Sequence, residues 1–171
     1  MLVSTTNQAG WYGPIKDFLE EDKVIVRKAL ESFIEDAGAS QIRAWRDSIP
    51  MLQRVLKTMK TINEGAGVIV DDGTLLEYVL PMEGGRRPDV LVLENGVVVI
   101  LEFKGKERWD ISDVDQAIGY KRDLENYHSI CQDGQHPVHA ILVMTRRTEP
   151  YTEKDGVYIS LDRVEQDNKT V

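Results

Sequence analysis

Three side chains in this sequence have the types and the spacing to act together on a charged substrate: Asp89, Glu102 and Lys104. The stretch that carries them reads Arg86-Arg87-Pro88-Asp89, an apolar run, Asn95-Gly96, a second apolar run, then Glu102-Phe103-Lys104. Asn-Gly between two β-branched runs predicts a tight hairpin, because a type I′ turn needs positive φ at both central residues. With Asn95 and Gly96 as the loop, Glu94 pairs with Val97, Val92 with Val99 and Val90 with Leu101, and Asp89 comes to face Glu102. Directly opposed residues on one face of such a ladder hold their Cβ atoms about 5 Å apart. Lys104 lies two residues beyond Glu102, so period-2 alternation puts it on the same face. Two carboxylates this close repel each other unless a cation sits between them. The cluster therefore reads either as a pair with a shifted pKa or as an oxygen-ligand site for a hard cation such as Mg²⁺.

Other side chains could serve the same cluster. On the helix expected after the hairpin, Gln116 and Tyr120 are four residues apart and share a face, which Asp123 and Tyr127 continue. Such a face can touch reacting groups, or it can simply pack aromatic residues on a sheet. Asp115 points about 100° away from Gln116 and reads as structural. Glu77 stands within Leu75-Leu76-Glu77-Tyr78-Val79, where a carboxylate must be paired or metal-bound. A metal site and a salt bridge to Arg86 or Arg87 account for it equally well. Basic residues are grouped at Arg86-Arg87, at Lys104, Lys106 and Arg108, at Lys121-Arg122 and at Arg146-Arg147. Such groups are ordinarily solvated faces. Only the first two flank the carboxylates, where Arg86, Arg87 and Lys106 would be useful to grip phosphate.

To position these groups the chain must build a sheet with helices against it. Both hairpin strands are apolar on two faces: Leu91, Leu93, Val98 and Ile100 on one, Val90, Val92, Val99, Leu101 and Phe103 on the other. Two-sided burial predicts an α/β sandwich and not a solvated antiparallel sheet. From Trp11 to about Ala37 the pattern is helical, with Phe18, Val24, Ile25, Leu30, Phe33 and Ile34 as core candidates and Gly38 as a stop. Ser40 is a good N-cap for the next helix, whose Ile42, Trp45, Ile49, Leu52, Leu56 and Met59 form an amphipathic stripe. Pro50 should kink or split that helix, and the Gly-rich residues 63–67 end it. Val68-Ile69-Val70 and the segment from Leu75 to Leu80 read as strands around a turn at Asp71-Asp72-Gly73, with a loop from Pro81 to Pro88. Beyond the hairpin come a loop over 105–110 and a helix from Asp113 to His128 capped by Ser112. His128 would then serve its C-terminal dipole. Strands from Val138 to Thr145 and from Val157 to Leu161 complete the pattern.

Pro88-Asp89 followed by Glu102-Phe103-Lys104 resembles the signature of the PD-(D/E)xK nuclease superfamily, and Gln116 with Tyr120 resembles the QxxxY motif of its branch attached to recombination helicases. The resemblance spans roughly residues 40–161 and implies a restriction-endonuclease-like αβββαβ sandwich over 40–171, with residues 1–39 as an N-terminal helical extension. It implies that Asp89 and Glu102, with Glu77 as a third acid, ligate Mg²⁺ or Mn²⁺. Lys104 would position or activate the attacking water, and Gln116 and Tyr120 would contact the substrate or that water. Together with Ser40-Gln41-Ile42-Arg43-Ala44-Trp45 and Asp115-Gln116, these residues are similar to the nuclease-like N-terminal region of bacterial proteins that carry a Schlafen-type P-loop helicase. A nuclease acting on DNA is the implied activity. A catalytically inactive module that binds nucleic acid or protein is the alternative. The implied partner is a helicase motor, either in a continuation past Val171 or as a separate protein.

Composition narrows the field. At 171 residues the chain has the length of one domain with a sizeable core. No run approaches the 18 apolar residues of a membrane span, and the N-terminus lacks a signal pattern, so a cytoplasmic protein with no membrane partner is expected. A single cysteine, Cys131, excludes an internal disulfide and a multi-cysteine zinc site, and reads as a small core residue or a surface thiol. There is no GxxxxGK[ST] loop, no Gly-x-Ser-x-Gly and no nucleophilic triad. The formal net charge of −8 counts against tight stand-alone binding of a polyanion.

Overall fold

Asn95 and Gly96 adopt φ of 49° and 81° and make the tight turn between β3 (Val90–Glu94) and β4 (Val97–Lys104). The ladder runs Glu94 to Val97, Leu93 to Val98, Val92 to Val99, Leu91 to Ile100 and Val90 to Leu101, the register expected from the sequence. The computed structural model describes residues 8–67, 72–80, 84–129, 131, 132, 134–146 and 152–160. Among these, the hairpin is the middle of a seven-stranded mixed sheet. The remaining strands are β1 (Trp11–Gly13), β2 (Asp72–Leu76), β5 (Val138–Met144), β6 (Thr152–Lys154) and β7 (Val157–Ser160), and the order is β1-β2-β3-β4-β5-β7-β6. β5 lies parallel to β4, and β7 parallel to β5; the other pairings are antiparallel.

Helices cover both faces, as the two-sided apolar strands require. α4 (Ile111–Tyr127) buries Val114, Ala117, Tyr120 and Leu124 against Leu91, Val98, Ile100, Ala140 and Leu142. Cys131 is buried in the same cluster. On the other face α1 (Ile15–Glu20), α2 (Lys23–Phe33) and α3 (Ala39–Gly65) share a core with Leu76, Val90, Val92 and Leu101. Full burial of an aliphatic side chain contributes about 2 kcal/mol, so these two layers are what keeps the hairpin at mid-sheet. Among the described residues no helix is long and apolar enough to cross a membrane.

Several local expectations give way to this packing. The segment from Trp11 to Ala37 is not one helix but β1, α1 and α2. Gly13-Pro14 ends the strand, and the Asp22 carboxylate restarts helix by accepting from the Val24 amide at 2.7 Å. That restart rotates the buried stripe: Val24 and Ile25 are exposed, and Val26 enters the core with Phe18, Leu30 and Ile34. α3 starts after Gly38 with no side-chain cap, so Ser40 is not its N-cap, and it continues through Pro50 as one helix. Burial of Trp45, Ile49, Leu52 and Leu56 outweighs the cost of about 3 kcal/mol that an internal proline imposes. Asp72 and Gly73 belong to strand β2 and not to a turn, and β2 ends at Leu76 instead of reaching Leu80. Val68-Ile69-Val70, Asp71 and Leu161 lie outside the described residues. Asp110, not Ser112, caps α4, in a reciprocal capping box with Asp113. Burial pulls the His128 imidazolium pKa down, which leaves the ring neutral at pH 7 and removes the charge a dipole partner needs.

Candidate active site at the open end of the hairpin

Just below the last ladder pair, Val90 and Leu101, the backbones of β3 and β4 present Asp89 and Glu102 to each other. The two are laced together: the Asp89 amide donates to Glu102 Oε2 at 3.3 Å, and the Phe103 amide donates to Asp89 Oδ2 at 2.8 Å. Both carboxylates accept amide donors that strand geometry supplies, so their positions follow from the register. Glu102 is buried and Asp89 half-buried. Burial, then the neighbouring Asp89 charge, pushes the Glu102 carboxyl up to about 8, against the pull of Lys104. Loss of solvent likewise pushes Asp89 above the usual carboxylate range, with the Phe103 amide and Lys104 acting against it.

From Glu102 a chain of hydrogen bonds runs to α4. Lys104 Nζ donates to Glu102 Oε1 at 3.2 Å and to Gln116 Oε1 at 2.7 Å. Gln116 Nε2 in turn donates to the Tyr120 hydroxyl at 2.9 Å. The ammonium fixes the Gln116 amide, because the reverse orientation would set NH₂ against NH₃⁺. Burial, then the Glu102 charge, pushes the Tyr120 phenol up to about 12, so the hydroxyl that accepts from Gln116 stays protonated. All five residues singled out in the sequence as catalytic candidates (Asp89, Glu102, Lys104, Gln116 and Tyr120) thus form one connected array. Asp115 is exposed, away from it.

Glu77 stands at the edge of the array, one residue past β2, at φ 56°. A non-glycine residue there costs on the order of 1 kcal/mol, and buried contacts offset it. Trp45 Nε1 donates to Glu77 Oε1 at 2.8 Å, and Arg87 Nε lies 3.4 Å from Oε2. Between the two readings of Glu77, the pairing with Arg87 is therefore made. Burial still dominates, with Asp89 adding to it, and lifts the Glu77 carboxyl to about 7. Trp45→Phe removes a donor that favours the charged form. The carboxyl should then titrate above pH 7, and the protein should lose about 1–3 kcal/mol at pH 8. The loss should be smaller at pH 6, where the acid is protonated in both proteins. Urea unfolding at the two pH values checks it.

The other basic candidates are engaged as well. Arg86 Nη1 pairs with the buried Asp123 at 2.8 Å. Lys106 Nζ lies 2.6 Å from both Asp110 and Asp113, where it closes the loop leading into α4 and is not held out toward a phosphate. Sequence reasoning did not single out Trp45 as a partner of the site. Its place in the buried stripe of α3 looks like packing alone, and only the tertiary fold brings its indole to Glu77.

A cleft of about 160 Å³ joins Gln41, Trp45, Glu77, Asp89, Glu102 and Lys104. At about 30 Å³ per water, it holds roughly five waters, room for a hydrated cation or a phosphate group. A larger cavity of about 310 Å³ lies at the turn end of the hairpin, walled chiefly by residues such as Leu75, Tyr78, Leu91 and Leu124. Among the described residues no three acidic, histidine or cysteine side chains converge as a ready-made metal cage. Mg²⁺ does not require one, because it retains several waters and is commonly held by one or two carboxylates plus substrate phosphate. Two adjoining carboxylates with raised pKa values, lining one cleft with Lys104, fit that donor set. No family model, curated protein or solved structure matches this chain. The functional reading accordingly rests on the array itself.

Proposed function

We propose that this chain is a divalent-cation-dependent nuclease that hydrolyses phosphodiester bonds of DNA, built on a restriction-endonuclease-like αβββαβ core. The observation that carries the reading is the unbroken array from Asp89 and Glu102 through Lys104 to Gln116 and Tyr120. Asp89 and Glu102 would hold Mg²⁺ or Mn²⁺. When bound, such a cation lowers the pKa of water and offsets charge on phosphoryl oxygens. Lys104 brings an ammonium to the edge of the carboxylate pair, where it can orient a water and stabilise developing negative charge. Gln116 holds Lys104 in that direction, and Tyr120 adds a neutral donor beside it. An ion-pair network serving stability alone would not favour two carboxylates whose pKa values are pushed up, because each destabilises the folded state when ionised.

A helicase motor, on the same chain or as a separate protein, is the partner we propose. With a net charge of −8 the domain has little long-range attraction for DNA, so a strand must be delivered to it. The test uses end-labelled linear DNA and closed circular DNA, single- and double-stranded, with RNA as a parallel arm, at millimolar Mg²⁺ or Mn²⁺. Metal-dependent cleavage abolished by EDTA is expected. Intact substrates under every condition would overturn the reading.

A further inference from the structure

Arg86 flanks the site in sequence, yet its guanidinium turns away from the cleft and lies across α4. Its Nη1 pairs with Asp123 Oδ2 at 2.8 Å, and Asp123 is only 2% exposed. The guanidinium carbon stands 5.0 Å from the centroid of the Tyr120 ring. Between these two contacts sits Gly119, where an added Cβ would come 2.8 Å from Arg86 Nη2. A glycine within a helix costs stability relative to alanine, and here its missing side chain is the space the guanidinium occupies. The backbone of Arg86 is anchored too, its carbonyl accepting from the Leu80 amide at 3.0 Å. Three residues later comes Asp89. Arg86 therefore ties the segment leading into the first carboxylate to the helix that carries Gln116 and Tyr120.

We infer that Arg86 is a positioning residue, which clamps Tyr120 through the gap at Gly119 and thereby sets Gln116 and Lys104 against the carboxylate pair. This rests on the nuclease reading of the site. The planar guanidinium suits the task, since it can stack on a ring and pair with a carboxylate at once. Gln116 bonds both the Tyr120 hydroxyl and Lys104 Nζ, so displacement of the ring is passed to the ammonium. A shift of about 1 Å in a reacting group can cost on the order of 100-fold in rate.

The test compares Arg86→Gln, Gly119→Ala and the double variant with the wild type. Gly119→Ala leaves every charge in place and raises helix propensity while it displaces the end of the arginine. We expect each single variant to lose at least tenfold in kcat, and the double variant no more than the worse single one, because both remove the same clamp. KM, calorimetric Mn²⁺ affinity and the salt slope of DNA binding should stay within twofold of wild type, and the Gly119→Ala melting temperature within a few degrees. A wild-type kcat in Gly119→Ala overturns the proposal. So does a salt slope that falls by about 0.9 in Arg86→Gln with kcat unchanged, since that marks a lost phosphate contact. A wild-type protein that cuts no substrate fails at an earlier step: it removes the nuclease reading and this proposal with it.

Discussion

Glu102→Gln is expected to lower metal-dependent cleavage by on the order of 10³-fold while making the metal-free protein more stable above about pH 6. The activity loss follows from the several kcal/mol of charge stabilisation that a bound cation supplies, at 1.36 kcal/mol per tenfold. The stability gain follows from the pH linkage. The Glu102 carboxyl is lifted from 4.5 to about 8, first by burial and then by Asp89. Between those values the folded protein binds more protons than the unfolded chain, so its stability falls as pH rises through that window. Glutamine removes the titration. The melting difference between variant and wild type should be small near pH 5, grow toward pH 8 and then level off. Part of the gain is lost, because the Asp89 amide and Lys104 donate to different Glu102 oxygens and the glutamine amide puts an NH₂ at one of those two places; Lys104 keeps its bond to Gln116. Asp89→Asn should behave alike in direction, with the Asn oxygen retaining the bond from the Phe103 amide. Calorimetric melts in EDTA at pH 5, 6.5 and 8, beside cleavage assays, test both halves. Wild-type cleavage in either variant would end the metal-ligand assignment. A melting difference independent of pH would mean that Glu102 is not held above its ordinary range.

The parts of this fold that were legible in the sequence are those written in local chemistry. Asn95-Gly96 dictates the turn, the turn dictates the register, and the register brings Asp89 to Glu102. Helix periodicity then puts Gln116 and Tyr120 on one face. Two local signals of the same kind went unused. Asp155-Gly156 is a hairpin turn between β6 and β7, with φ of 51° and 79°, and β6 was not expected. Gly119 within an otherwise regular helix marks a close approach, here that of Arg86. What could not be read locally is what depends on distant partners. Glu77 could not be assigned between metal and arginine because Trp45, 32 residues earlier, is brought to it only by the packing of α3. The pair Val24 and Ile25 misled for the same reason, and Pro50 does not split α3: long-range burial decides which helix continues and which stripe faces in.

Lys104→Ala separates a residue that binds the cation from one that acts beside it. An ammonium has three donors and no acceptor, so it cannot ligate a metal. In this structure it competes for Glu102 Oε1 at 3.2 Å, a position a cation would want. Removing it should therefore leave intrinsic metal affinity intact or improved, while kcat falls on the order of 10²–10⁴-fold, the usual contribution of a positioned proton-handling group. The pH of the measurement decides whether this is visible. Lys104 pulls the Glu102 carboxyl down from where burial and Asp89 push it, so without it the carboxyl titrates higher still. Below pH 8 a metal displaces the Glu102 proton in both proteins, but in the variant that proton is held more tightly, and apparent affinity drops for that reason alone. At pH 9 the penalty fades, and Mn²⁺ titration calorimetry of variant and wild type should agree within a fewfold. Gln116→Leu should fall between the two in kcat, since it frees Lys104 without removing it. A large loss of Mn²⁺ affinity in Lys104→Ala at pH 9 would show that the ammonium organises the carboxylates, and its place in the chemistry would pass to Gln116 and Tyr120.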